Sequence, residues 1–180
     1  MRVVFCDTFT IFVSVQMTDS YPMSSFNAGE LSSKGFLSKL AFVAVPVIVG
    51  GLLIAKDKSW YQSHIVQPTW AASLMTQIVV WVVIAIVLAW VWYKLSLTPY
   101  ANVAHGVFVG ILAISFFYVF VLFCQHELAF AKYLLLALTL YTATATAGVW
   151  VLHRTAGILM ALTTAWFAYL TAAAFKSYQA

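Results

Sequence analysis

Five separated apolar runs, each about twenty residues long, constrain this chain more than any other feature. They cover about 36–55, 69–93, 99–123, 129–151 and 155–175. Twenty helical residues at 1.5 Å each cross a hydrocarbon core of about 30 Å. The expected fold class is therefore all-α, an integral membrane bundle of five transmembrane helices. Composition agrees: 64% of residues are hydrophobic and 8% charged, where a soluble domain carries about 25% charged residues. The connections are mostly short, so sequential neighbours run antiparallel.

Residues 1–33 are mixed, with Asp7, Asp19, Pro22 and Glu30 interrupting short apolar pieces, and read as a flexible tail, with Met17 as a second candidate start. Residues 34–180 form a single transmembrane domain. Pro46 is expected to kink the first span, and Gly50-Gly51 to loosen its end. Residues 56–68, with Lys56, Asp57, Lys58 and His64, read as a polar loop. Thr69 behind Pro68 is the expected N-cap of the second span, and Pro99 behind Thr98 the expected first position of the third. Gly106 and Gly110 have the small-residue spacing that lets membrane helices approach closely, and offer a candidate face for a homodimer. The fourth span continues into Tyr141-Thr-Ala-Thr-Ala-Thr-Ala-Gly148, His153-Arg154 reads as a turn, and the fifth span carries Gly157, Ala161, Ala165, Ala168 and Ala172 on a close-packing face.

Several function classes drop out. The net charge of +4 is scattered at segment ends, which suits lipid headgroups and not nucleic acid. Beyond Lys39 and Lys132 near span ends, no Asp, Glu, Lys or Arg lies inside a span, so an ion-driven transporter is not expected. No nucleophile with a neighbouring base, no paired carboxylates and no phosphate loop point to an enzyme, and Cys6 and Cys124 suggest neither a disulfide framework nor a metal site. By span order His105 and His153 lie toward one membrane side and His64 and His126 toward the other, so either pair is a candidate for axial haem ligation; helix capping is the usual alternative. Lysine and arginine near the spans divide four against four between the two sides and leave the orientation open.

Tryptophan gives the sharpest pattern. Five of the seven indoles fall between Trp60 and Trp92. On one continuous helix Trp70, Trp81 and Trp92, eleven residues apart, would form a stripe with indoles roughly 16 Å apart. Gln77 falls close to that stripe. Such a wall is either a binding surface or ordinary packing, and Trp60-Tyr61 in the preceding loop is either a lid or part of an interfacial aromatic belt.

Trp60-Tyr61, Pro68-x-Trp70 and Trp81, together with Ala156-Gly-Ile-Leu-Met160 and Ala165-Trp166-Phe-Ala168-Tyr-Leu, resemble the signature of the translocator protein family, also called tryptophan-rich sensory proteins (TspO/MBR). The resemblance covers about residues 36–178 and implies a five-helix fold. Departures are Ala71-Ala72-Ser73 where the family has a double proline, Ile78-Val79 for a Gly-Pro, Leu162-Thr163 for a Pro-Tyr, Ala173-Ala174 for a Leu-Asn, and Ser115 and Tyr118 near the family's Asn and Trp. The resemblance implies a membrane receptor or binding protein for a flat hydrophobic ligand, a tetrapyrrole such as protoporphyrin or a sterol, held among the helices under the first loop. It carries no obligatory cofactor. Trp60, Tyr61, Pro68, Trp70, Gln77, Trp81, Tyr118 and Trp166 are the implied lining, with Lys56, Lys58 or His64 meeting propionates. Some members are linked to porphyrin breakdown, so an enzymatic role rests on resemblance alone. Leu170, Phe175 and Lys176 give a degraded version of the family's sterol pattern. The second expectation is an accessory subunit of a larger membrane complex with the ligand site lost. The implied location is a mitochondrial membrane in a eukaryote or the cell envelope in a bacterium.

Overall fold

The computed structural model describes residues 33–179. The tail expected over 1–33 lies outside these residues apart from Ser33, which is already helical. Five helices follow: α1 (Ser33–His64), α2 (Leu74–Ser96), α3 (Ala101–Cys124), α4 (Leu128–Leu152) and α5 (Arg154–Lys176). All five are long and apolar enough to cross a membrane. A strand pair joins β1 (Ile65–Val66), just after α1, to β2 (Tyr178–Gln179), just after α5.

Two boundaries differ from the sequence expectation. The first helix does not stop near residue 55 but continues to His64, so Trp60 and Tyr61 stand on α1 and not in a loop. Charge was the misleading signal, because Lys56, Asp57 and Lys58 leave the apolar run without breaking a helix. The direction changes at Asp57, whose φ of −109° and ψ of 18° interrupt the helical backbone. Pro46, by contrast, leaves its surroundings helical; a membrane helix tolerates the lost bond where neighbours and local adjustment satisfy the backbone.

The second helix begins at Leu74 and not near Thr69, with Ser73 as its N-cap: Thr76 N donates to Ser73 Oγ at 3.2 Å. Residues 68–71 form a separate turn, with Ala71 N donating to the Pro68 carbonyl at 2.9 Å. Trp70 is thus off the helix, and the expected three-indole stripe does not exist. At the next boundary Pro99 lies in the turn before α3, whose N-cap is Tyr100 and not Thr98. His153 alone breaks the chain between α4 and α5, accepting from Ala156 N at 3.3 Å.

The helices close into a ring of order α1–α2–α5–α4–α3, with α2 and α3 also touching across it. That diagonal contact divides the interior. On one side α4 packs most extensively on α5, around fully buried Leu135, Leu138, Met160 and Phe167. Gly157 is required there, since a Cβ would lie 2.7 Å from the Trp150 Cα. The hydroxyls of Thr139 and Thr171 meet at 2.8 Å, and those of Thr146 and Thr164 at 2.9 Å. On the other side lies the compartment of α1, α2 and α3. Outward-facing Leu52, Val79, Leu140, Val151 and Leu162 are exposed, as lipid-facing positions are in a bilayer protein.

Candidate ligand-binding site

The two compartments differ in free volume. Between α1, α2 and α3 lies a cavity of about 310 Å³. Val43, Pro46, Val47, Gly51 and Ile54 line it from α1, Ile78, Trp81, Ala85 and Leu88 from α2, and Leu112, Ser115 and Val119 from α3. Glycine keeps the α1 wall low: Gly51 has nothing within 4 Å of where a Cβ would stand. Ser115 is the one hydroxyl among those residues, and it is spent on the Ile111 carbonyl at 2.7 Å. The wall therefore offers apolar surface and the Trp81 indole, with no charged side chain.

A second cavity of about 20 Å³ lies at the pole closed by β1 and β2, among Tyr61, Gln67, Gln77, Tyr118 and Lys132. Its wall mixes these polar groups with Ile65, Leu122, Leu128 and Leu170, and its size admits about one water. Gln67 donates to the Tyr61 hydroxyl, Gln77 Nε2 donates to the Ala72 carbonyl at 2.9 Å, and Lys132 Nζ donates to the Ser177 carbonyl at 2.7 Å. These bonds tie the approach to α2, the end of α5 and the strand pair into one closed pole.

A five-helix bundle is the architecture that the resemblance implies, and the model of the TspO/MBR family matches residues 40–179. The chain belongs to the TspO/MBR family. No curated protein matches it. This TspO/MBR member is an integral multi-pass membrane protein, and its five helices are the family's bundle.

The eight residues expected to line one site are distributed over four places. Trp81 alone borders the large cavity, and its ring tilts against Phe167 at 5.3 Å. Tyr61, Gln77 and Tyr118 border the small one, with Tyr61 stacked on Phe123 at 5.4 Å. Trp60, Pro68, Trp70 and Trp166 border neither. Trp60 packs on two imidazoles, His126 at 3.9 Å and His64 at 5.6 Å. Trp70, 52% exposed, meets Tyr169 edge-on at 5.7 Å, and Trp166 stacks on the same tyrosine at 5.1 Å. The Tyr169 hydroxyl accepts from Ala72 N at 2.6 Å and donates to the Trp70 carbonyl at 3.3 Å, so this aromatic group anchors the turn over residues 68–73 to α5.

None of the four histidines lines the large cavity, so the bis-imidazole haem reading finds no chamber there. His64 and His126 both lie on Trp60, His153 caps α5, and His105 contacts Trp92. Lys56 and Lys58 are exposed on the end of α1. Gly110, half of the expected dimer face, is occupied within the chain: a Cβ there would lie 2.6 Å from the Tyr141 hydroxyl on α4. Gly106 has nothing within 4 Å.

Sequence reasoning missed the α1 wall. Val43, Val47, Gly51 and Ile54 recur at spacings of four, four and three, a single helix face that passes through the small residue Gly51. In a helix that is apolar all round, that face has no polar back to set it off.

Proposed function

We propose that this protein is a membrane-embedded binding protein for a flat hydrophobic small molecule, held between α1, α2 and α3 against Trp81. The observation that carries the reading is the apolar cavity of about 310 Å³, which falls within the roughly 300–1,000 Å³ of small-molecule sites. Its lining favours a ligand body that is apolar along its length, as a sterol is. A tetrapyrrole would stack well on an indole, but its two propionates find no cation in that wall. Bilayer-soluble ligands reach such a site laterally.

The test is a titration of the detergent-solubilised protein with cholesterol and, separately, with protoporphyrin, followed by tryptophan fluorescence. Saturable quenching by cholesterol is expected, weakened in Trp81→Leu, abolished in Gly51→Phe, and intact in Trp70→Leu. Quenching that never saturates and is identical in all four proteins would mean partition into the micelle and would remove the cavity reading.

A further inference from the structure

Resting on that cavity reading, we propose that the preferred ligand ends in a single carboxylate, held by Lys39 and His105 at the pole opposite the strand pair. Lys39, Trp92 and His105 belong to α1, α2 and α3, the same three helices that wall the cavity. Lys39 lies one turn before the lining residue Val43, Trp92 one turn after Leu88, and His105 seven residues before Leu112. The cluster therefore stands about 5–10 Å beyond the end of the apolar wall.

Its hydrogen bonding requires an acceptor that the three side chains do not supply. Trp92 Nε1 can only donate, and it reaches His105 Nδ1 at 3.4 Å. With Nδ1 as acceptor, a neutral imidazole carries its proton on Nε2. That nitrogen stands 3.1 Å from Lys39 Nζ, and an ammonium has donors alone. His105 offers one acceptor nitrogen to two neighbours that both donate, so in this tautomer Nε2–H and the ammonium face each other across α1 and α3. An oxyanion seated beside both accepts from each, and turns a repulsive contact into two charge-assisted bonds.

The cation is held in place for this, with Lys39 Nζ 4.8 Å from the Trp92 ring centroid. No side chain among the described residues competes for it. Their two carboxylates, Asp57 and Glu127, belong to the other half of the bundle, in the far part of α1 and at the start of α4. The arrangement suits an acidic amphiphile lying along α1, its head at Lys39 and its body in the cavity.

Cholesteryl hemisuccinate and cholesterol share one ring system and differ by a carboxylate on a short linker. Both are titrated against the full chain in detergent. Wild type is expected to bind the hemisuccinate tighter by about ten- to a hundredfold, the range of a charge-assisted hydrogen bond. Lys39→Gln erases the preference and leaves cholesterol binding unchanged, Lys39→Arg retains it, and His105→Phe, which removes one donor and leaves the lysine, narrows it. Gly51→Phe loses both ligands. Equal affinities in wild type, or a preference that survives Lys39→Gln, would overturn the carboxylate site and leave the cavity standing. Failure of wild type to bind either sterol would overturn both readings.

Discussion

The α4–α5 pair and the α1–α2–α3 compartment draw on the same apolar side chains and pack in opposite ways. Between α4 and α5 the backbones approach until Gly157 nearly touches Trp150, and threonine pairs bond across the seam. Along α1, Gly51 faces open space. A glycine is thus a requirement for contact in one region and a way of leaving room in the other. In lipid no hydrophobic force drives helices together, and close packing supplies the cohesion. The tight pair can hold the fold while the looser trio keeps a cavity.

The largest test of that contrast is Gly157→Val. Its Cβ would meet Trp150 backbone and not a movable side-chain tip, so roughly 3 kcal/mol of stability should be lost, read as a large fall in the detergent unfolding midpoint. Gly110→Ala comes next. The obstacle is the tip of Tyr141, so the cost should be about 1–2 kcal/mol, and a double-mutant cycle with Tyr141→Phe should recover part of it. In the open compartment the sign should reverse: Gly51→Ala is expected to stabilise by about 0.5–1 kcal/mol, because alanine is the better helix former. Destabilisation by that variant would mean the α1 wall is as tightly packed as α5. The smallest effect is expected from Thr146→Val with Thr164→Val, whose coupling energy should be about 0.6 kcal/mol, the usual size of an interhelical bond in a membrane protein.

The bilayer made much of the architecture readable from sequence. Runs of about twenty residues without charge admit few solutions, so the number of helices and the course of the last two were evident. Boundaries at the polar pole were harder. Trp70 and Trp81 look continuous in sequence, but the Pro68 turn and the Ser73 cap move the helix start past Trp70. Lys56 to Lys58 look like a loop, although nothing in them stops a helix except a bend at Asp57. The proposed ligand site was legible only through Trp81. The rest of its wall is valine, isoleucine, leucine and glycine, residues that carry no mark of function until a third helix shows what they surround. Lys39 and His105, sixty-six positions apart, become partners only through the packing of α1 on α3.

The pairing of β1 with β2 also has a temporal side. Ile65 and Val66, between the first and second helices, find their partners at Gln179 and Tyr178. Where helices insert in the order they are made, the first two enter the membrane with that connection unfastened, and it stays so until the fifth helix has docked. The pole carrying Trp60, Tyr61 and Gln77 is then the last part of the molecule to be sealed. A chain arrested before residue 178 would keep its aromatic end ajar, and maturation could be followed by protease access to residues 65–73.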